Sequence, residues 1–257
     1  MGKVPLILLP GTLCDERLWE LVNLSDLADV KVCDVSKADT IEGIAKSVLE
    51  EAPDKFALAG LSLGGIISLE IMRIAPERVI KLALLDTNPN PPQPEQITGW
   101  ERFIEMANNG QFLDITRNYL LPVLIHPDRR NDEALVSKII DMAEKVGKEG
   151  YINQIKAVMT RSDQRPILAA IECPTMILAG KEDRVCPVHM SEFLKENIPA
   201  ASLEIISHSG HLSTLEQPEK VSAAMRKWLS LKCRELDVIL QHGTRYSLQK
   251  EREDDEE

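Results

Sequence analysis

Ser62 lies at the centre of a glycine-rich segment, Gly60-Leu61-Ser62-Leu63-Gly64-Gly65, whose spacing could present a nucleophile. The segment follows an apolar run at residues 56–59 and precedes a helical pattern at residues 66–75. This order predicts a strand that turns sharply into a helix, with glycines that leave room for the bend. The helix would direct its free N–H groups and positive dipole end at the hydroxyl. The alternative is a glycine-rich turn in which Ser62 merely caps the helix.

Two further segments supply the residues that would activate such a serine. Asp183 lies three residues after Gly180, at the end of the apolar run 176–179, and His211 follows the strand-like run 203–206. The carboxyl ends of parallel strands share one edge of a sheet, so these loops can meet the serine there. The chain order of serine, acid and histidine therefore predicts a nucleophile, a group that orients the base, and a base.

The order of apolar runs predicts an α/β fold with a mostly parallel sheet of about six strands. The expected strands are residues 4–9, 30–35, 56–61, 79–86, 176–179 and 203–206. Their nearly continuous apolar character is typical of a sheet that is covered by helices on both faces. Residues 40–52 are one such helix, with Thr40 as the expected N-cap.

The alternation of strands and helices stops between Thr87 and about Pro166. A proline-rich linker precedes four helical patterns in this segment. Asn131 is the expected N-cap of the third pattern, and Gly147 is expected to end it. The four patterns are residues 95–108, 112–121, 132–146 and 151–161. The sequence therefore predicts an α/β core at 1–87 and 167–230 and an all-helical lid at 88–166. A C-terminal extension, 231–257, would start with a helix at 231–241 and end in an acidic, disordered segment.

Composition and charge exclude several classes of function. A net charge of −11 argues against nucleic-acid binding, which needs a basic surface. No apolar run is long enough to span a membrane, and the first strand starts too near Met1 for a signal peptide, which favours a cytoplasmic protein. The five cysteines are odd in number and lack C-x-x-C spacing, as is typical of reduced thiols. No motif for a metal or cofactor is present, so neither is expected, and nothing indicates an oligomeric state.

The chain resembles the α/β-hydrolase superfamily over roughly residues 4–230. The matching segments are Leu8-Leu9-Pro10-Gly11-Thr12, the Ser62 segment, Ala75-Pro76-Glu77-Arg78-Val79, residues 180–187, and Gly210-His211 with Glu216-Gln217-Pro218-Glu219. Within the superfamily it is similar to small cap-bearing bacterial esterases such as the pimeloyl-[acyl-carrier protein] methyl ester esterases, through residues 52–55 and 62–65. The resemblance implies a lid that covers the serine, excludes water and shapes an acyl pocket.

The resemblance also bears on two alternatives for the catalytic residues. His208 is a second histidine near the expected base, but the Gly-His pair and the acidic segment after it match the family at His211. Asp86 ends the strand that comes after the helix following Ser62, where some hydrolases carry the acid. We favour Asp183 because its loop combines Gly-x-x-Asp spacing with Pro187.

Two backbone amides are expected to stabilise the oxyanion of an acyl-transfer reaction. One is Leu63 N–H, directly after the nucleophile, and the other belongs to the first loop. Relatives carry His-Gly in that loop, whereas this chain has Pro10-Gly11, which leaves Thr12 N–H as the expected donor and Leu13 N–H as its substitute.

Other residues are candidates for substrate binding. Leu13 and Trp19 could border the pocket, although packing is the more common role for a tryptophan. Arg161 and Arg165 flank Asp163 where the lid rejoins the core. Either arginine could bind an acidic or phosphopantetheine-linked substrate, or both could serve with Asp163 as a clamp at the hinge of the lid. We favour the clamp.

These features predict a cofactor-independent serine hydrolase that cleaves small or medium carboxylic esters or thioesters through a Ser62–His211–Asp183 triad. Its partner would be a small-molecule ester. The same triad could instead serve C–C bond hydrolysis, perhydrolase or lyase chemistry. A ligand-binding receptor on the same scaffold is the non-enzyme alternative, and such receptors usually lack one member of the triad.

Overall fold

A computed structural model describes residues 3–199 and 201–231. Six strands form one sheet in the order β2-β1-β3-β4-β5-β6, and every neighbouring pair is parallel. The strands are β1 Val4–Leu9, β2 Ala28–Val32, β3 Phe56–Leu61, β4 Val79–Leu85, β5 Thr175–Gly180 and β6 Ala201–Ile206. The predicted α/β fold with a parallel sheet of about six strands is confirmed.

Helices cover the sheet and fill the connections between its strands. The α-helices are α1 Ile41–Glu51, α2 Leu63–Ile74, α3 Pro94–Asn108, α4 Phe112–Asp114, α5 Leu121–Leu124, α6 Glu133–Met159, α7 Val188–Asn197, α8 Ser213–Glu216 and α9 Pro218–Leu229. Short 3₁₀ helices lie at Glu16–Leu18, Pro76–Arg78, Pro127–Arg129 and Arg165–Ala170, and a π-helical turn spans Ile115–Leu120. The Thr40 side chain accepts a hydrogen bond from Gly43 N–H, as its predicted role of N-cap requires.

Side chains of β1 show why the sheet is covered on both faces. Leu6 and Leu8 belong to one hydrophobic core, whereas Ile7 and Leu9 belong to a second core on the opposite face. Successive side chains of a strand point to opposite faces, so an uninterrupted apolar strand needs partners on both sides.

The strand order determines where a ligand can bind. The chain runs from β1 outward to β2 and then returns to the other side of β1 to form β3. Loops after β1 and β3 therefore diverge to opposite faces and leave a crevice at their carboxyl ends. The first loop and the Ser62 turn both flank this crevice.

The helices from α3 to α6 form an insertion between β4 and β5. Ala107, Ile115, Ala143, Tyr151 and Ile155 of the insertion form a hydrophobic core with Leu13 from the loop after β1. Gly147 interrupts α6 with φ 74° and ψ 171°, so the predicted break between two helical segments is present. The bounds of the lid as a separate domain stay a prediction.

The largest differences from the predicted elements lie at three places. β2 spans Ala28–Val32 instead of 30–35; its middle residues are exposed at the edge of the sheet, so apolar character does not mark its ends. Residues 112–121 form α4 and a π-helical turn that continues into α5, where Pro122 has no N–H to extend a regular ladder. Asp132, not Asn131, caps α6 by accepting Leu135 N–H.

The predicted helix at 231–241 and the acidic end lie outside the described residues, apart from Leu231. Within residues 3–199 and 201–231, every helix is too short or too polar to cross a membrane.

Candidate active site

Ser62 sits on the turn between β3 and α2 with φ 56° and ψ −114°. Few residues adopt this backbone conformation, because it crowds the side chain against the chain. The turn is held by Ser62 N–H, which donates to Leu85 O at 2.9 Å, and by the Thr87 hydroxyl, which donates to Ser62 O at 2.8 Å. The Ser62 side chain makes no capping hydrogen bond to α2, so its hydroxyl is available for chemistry.

Gly64 lets α2 start directly against β1. A Cβ atom at this position would lie 2.2 Å from the carbonyl oxygen of Leu9, which belongs to the backbone and cannot move aside. Any other residue would push the helix away from the sheet. The glycine therefore fixes the position of Ser62 relative to the first loop.

The imidazole of His211 joins the other two predicted residues. Its Nε2 lies 2.8 Å from Ser62 Oγ, and its Nδ1 lies 2.8 Å from Asp183 Oδ2. His211 and Asp183 are buried, with 3% and 5% of their surfaces exposed. The structure thus brings together the serine, the histidine and the aspartate that the sequence indicated.

The Asp183 carboxylate is fixed by its own loop. Its Oδ1 accepts hydrogen bonds from the N–H groups of Val185 at 2.7 Å and Cys186 at 2.9 Å, which leaves Oδ2 for the histidine. The loop also lies unusually near the histidine loop, because a Cβ on Gly180 would be 1.9 Å from Gly210 O. Only glycine permits this approach of the two backbones.

Two opposing effects set the basicity of His211. Burial by itself lowers the pKa of the imidazole, because it disfavours the charged form. The neighbouring Asp183 carboxylate favours the cation by charge and by hydrogen bonding, and the pKa of His211 ends above its usual value of 6.5. The side chain is therefore a stronger base than an ordinary histidine.

Asp86, the alternative acid, lies near His211 but makes no hydrogen bond to it in the described part of the chain. Its Oδ1 accepts Gly180 N–H at 2.7 Å and its Oδ2 accepts the Ser213 hydroxyl at 2.5 Å. Complete burial, reinforced by the charge of Asp183, raises the pKa of Asp86 to about 8. The carboxyl connects the end of β4 to the loops that carry the acid and the histidine.

His208, the alternative base, is exposed and packs its ring against His126, with 5.8 Å between the ring centroids. Among the described residues, His208 makes no hydrogen bond to Ser62.

Glu216 and the middle of the helical insertion hold the histidine loop, a role that the sequence did not reveal. The Glu216 carboxylate accepts Gly210 N–H at 2.8 Å and His126 N–H at 2.7 Å. His211 N–H donates to Leu124 O at 2.8 Å. Burial raises the pKa of Glu216 to about 7. The acidic segment after His211, which contains Glu216, matches the family in sequence. That match did not indicate which groups Glu216 contacts.

The amides expected to form an oxyanion hole face the same crevice. Thr12 and Leu63 both line the cavity next to Ser62, and in the described part of the chain neither N–H has a hydrogen-bond partner. Leu13 N–H, the expected substitute donor, already donates to Gln154 Oε1 at 3.0 Å.

A cavity of about 160 Å³ opens at Ser62. Its lining includes Gly11, Thr12, Cys14, Ser62, Leu63, Asn88, Trp100, Phe103, Tyr151, Val158, Arg161, Cys186 and His211. Of the residues predicted to bind substrate, only Arg161 lines it. Leu13 and Trp19 are packed in hydrophobic cores, and Arg165 is exposed and paired with Asp163.

One group in the described residues has donors spaced for a metal, namely Asp183, Cys186 and His211, whose ligand atoms lie within 4.8 Å of one another. Two of these groups are already bonded to each other. Burial raises the pKa of the Cys186 thiol, which disfavours the thiolate that metals bind. The arrangement therefore suits proton transfer better than metal binding.

Comparison with known proteins identifies the family. A sequence model described as "Alpha/beta hydrolase family" matches residues 7–224. The chain belongs to this family. The parallel sheet, the turn at Ser62 and the strand-end positions of Asp183 and His211 are thus features of an alpha/beta hydrolase.

Two curated relatives show the level of similarity within the family. The pimeloyl-[acyl-carrier protein] methyl ester esterase of Vibrio campbellii is 24% identical over 243 residues, covering 88% of this chain and 95% of that protein. The 3-oxoadipate enol-lactonase 1 of Acinetobacter baylyi is 27% identical over 192 residues, covering 73% and 70%.

Solved structures of other alpha/beta hydrolases superpose on most of the chain. A thermophilic esterase from Thermogutta terrifontis with malate bound has a TM-score of 0.80 and 28% identity, covering 89% of this chain and 90% of that one. The enol-lactonase from Burkholderia xenovorans LB400 has a TM-score of 0.79 at 20% identity and supports the fold alone. The prediction of an ester-cleaving hydrolase is confirmed.

Proposed function

We propose that this alpha/beta hydrolase cleaves small or medium carboxylic esters or thioesters through an acyl-enzyme on Ser62. The observation that carries the proposal is one imidazole with both nitrogens engaged, Nε2 at 2.8 Å from Ser62 Oγ and Nδ1 at 2.8 Å from Asp183 Oδ2. This arrangement can remove a proton from the serine while the carboxylate stabilises the resulting cation.

In the first half-reaction, Ser62 Oγ attacks the ester carbonyl carbon while its proton passes to His211 Nε2. The carbonyl oxygen becomes an oxyanion that accepts hydrogen bonds from the N–H groups of Thr12 and Leu63. Collapse of the intermediate breaks the bond to the alcohol or thiol, which leaves with the proton from Nε2. Asp183 keeps Nδ1 protonated, so Nε2 remains the nitrogen that exchanges the proton.

In the second half-reaction, water takes the place of the alcohol. His211 removes a proton from the water as it attacks the acyl-enzyme, and the same two amides stabilise the second oxyanion. Return of the proton to Ser62 Oγ releases the carboxylic acid. The net reaction is one ester and one water to one acid and one alcohol, and it uses no cofactor.

The cavity limits the size of the group next to the carbonyl. A volume of about 160 Å³ is comparable to a cavity that holds a benzene-sized molecule. Its walls are mostly apolar, with Trp100, Phe103 and Val158 contributed by the lid. These properties support a short or medium acyl chain, and the lid would exclude water during the attack.

Covalent labelling tests the nucleophile. A fluorophosphonate should modify the wild-type protein at Ser62, and intact mass and peptide mapping should find no adduct in Ser62→Ala. Ser25→Ala, which changes an exposed serine, is the matched control and should label like the wild type. Labelling of the folded protein at another residue, or none at all, would contradict the proposal. Turnover of ethyl and thioethyl esters with acyl chains of increasing length would then define the substrate.

A further inference from the structure

Arg161 is a buried cation in the wall of the candidate active site. Only 7% of its surface is exposed, and it lines the cavity that opens at Ser62. Its Nε donates to Asn90 O at 2.8 Å and its Nη1 donates to Val158 O at 3.0 Å. A guanidinium carries five N–H groups, so these bonds leave three for another acceptor.

The charge of Arg161 has no carboxylate partner among the described residues. Asp163, which the sequence offered to both neighbouring arginines, pairs with Arg165 at 2.6 Å instead. The residues that line the cavity in the described chain include no aspartate and no glutamate. Burial lowers the pKa of Arg161 to about 10, so the side chain is still charged at neutral pH. The Cys186 thiol beside it is neutral, because burial raises its pKa.

An unpaired buried cation is costly, because the protein must replace the hydration of the charge. The face of Trp100, 5.6 Å from the guanidinium carbon, offsets part of this cost, and the two backbone carbonyls offset more. A ligand with a negative charge would supply the missing partner. The two carbonyl bonds also hold the guanidinium in place before a ligand arrives, which reduces the entropy lost on binding.

We infer that Arg161 binds a free carboxylate of the substrate, so that the preferred substrates are esters, thioesters or lactones that carry a free carboxyl group on one side of the scissile bond. This inference rests on the proposed function, because it assigns a substrate class to the same cavity. A planar carboxylate can accept two parallel hydrogen bonds from the remaining N–H groups of the guanidinium. A carboxylate also balances one positive charge with one negative charge, whereas a phosphate dianion would leave an excess negative charge in a mostly apolar cavity.

The hinge of the lid does not depend on this charge. Gln164 N–H donates to Pro89 O at 3.0 Å, and its Nε2 donates to Ile66 O at 2.8 Å. These bonds tie the exit of the lid to its entry linker and to α2 without any ionic group. A glutamine at 161 could still donate to a backbone carbonyl, so loss of the charge can be separated from loss of the clamp.

Steady-state kinetics with matched esters test the inference. Ethyl hydrogen glutarate and ethyl pentanoate have the same number of carbons and differ by a carboxylate on the acyl side. The pair 4-butyryloxybutanoate and butyl butanoate differ in the same way on the alcohol side. The wild type should prefer the charged member of one pair, and that pair tells which side of the scissile bond faces Arg161. Arg161→Gln should reduce the charged-to-neutral ratio of kcat/KM by about 10-fold or more, mainly through KM.

The controls separate the possible outcomes. Arg165→Gln removes an exposed arginine with a surface partner and should leave the ratio unchanged. If Arg161→Gln does not fold, Arg161→Lys can replace it. Lysine keeps the positive charge but lacks the planar guanidinium, so it should retain part of the preference for the charged ester. Equal wild-type rates for charged and neutral esters, or an unchanged ratio in Arg161→Gln, would overturn the inference while leaving the esterase intact. Failure of all esters together with absent Ser62 labelling would instead reject the proposed function.

Discussion

The basicity of His211 determines how activity should depend on pH. The imidazole accepts the Ser62 proton only when neutral, and the Asp183 carboxylate holds its pKa above the usual 6.5 despite burial. The rate for a neutral ester, as kcat/KM, should therefore fall toward acid with an apparent pKa above 6.5. A pH–rate profile checks this expectation. A profile that stays flat down to pH 6 would contradict it.

The two buried aspartates near His211 should respond differently to the same substitution. Asp183→Asn removes the acceptor of Nδ1–H and favours the wrong tautomer, so kcat should fall by about 10⁴-fold. Asp86→Asn imitates a neutral carboxyl that already bonds to Gly180 N–H and the Ser213 hydroxyl, and its loss should be far smaller. Rates of both variants on one activated ester measure the difference. The reverse order would make Asp86 the catalytic acid.

The sequence could predict that Ser62, Asp183 and His211 meet, because each of them follows an apolar strand at a characteristic spacing. It could not predict what Asp86 and Glu216 do. Their partners, Ser213 for Asp86 and His126 for Glu216, are distant in sequence and meet them only after the strand-end loops have packed. For Arg161, the sequence suggested a pair with Asp163, but adjacency in sequence does not show which side chain turns into the cavity.

At the scale of the elements, the contact between the acid loop and the histidine loop should be intolerant of added volume. In Gly180→Ala the new methyl would lie 1.9 Å from Gly210 O, so the histidine loop must shift. We expect a destabilisation of about 1–3 kcal/mol and a fall in kcat of about 10²-fold, since small displacements of catalytic groups are costly. Thermal unfolding and ester turnover measure the two effects.

Gly99→Ala is the matched control for that substitution. Gly99 lies within α3, and a Cβ there meets nothing within 4 Å. Alanine should stabilise the protein by about 0.5–1 kcal/mol through helix propensity and leave turnover unchanged. Similar losses of stability and turnover in Gly180→Ala and Gly99→Ala would show that the close approach of the two loops is not the cause.

The first and last residues of β1 and β3 were predicted correctly because these strands are continuous apolar runs. The bounds of elements without such a run were not. β1 and β3 are buried between neighbouring strands, so apolar residues mark both of their ends. β2 lies at the edge of the sheet with Val30 exposed, and its register is set by pairing with β1. The π-helical turn before Pro122 keeps the apolar pattern of a helix, so that pattern does not mark the change of helix type.

At the scale of the whole molecule, two buried carboxyls should make stability decrease as pH rises. The pKa of Asp86 is about 8 and that of Glu216 about 7, both above the ordinary values of 3.8 and 4.5. The folded state therefore binds more protons than the unfolded state between about pH 4 and pH 8, and the free energy of unfolding falls across that range. The melting temperature should be lower at pH 8 than at pH 5.

Asp86→Asn tests the origin of that dependence. The amide cannot ionise, so its melting temperature should change less between pH 5 and pH 8 than that of the wild type. At pH 8 it should exceed the wild type by at least about 2–4 °C, which corresponds to about 1 kcal/mol for a domain of this size. Equal pH dependence in both proteins would assign the effect to other groups.

The hydrogen bond from His211 N–H to Leu124 O has a consequence for protein engineering. Cuts at the two linkers that flank the lid are the obvious way to exchange it as a cassette and alter the substrate range. Leu124 and His126 nevertheless anchor the histidine loop from inside the cassette, through His211 and Glu216. A chimera that imports a foreign lid must reproduce this anchor or import the histidine loop with it. Recombination is better placed within the lid, after residue 129, than at its hinges.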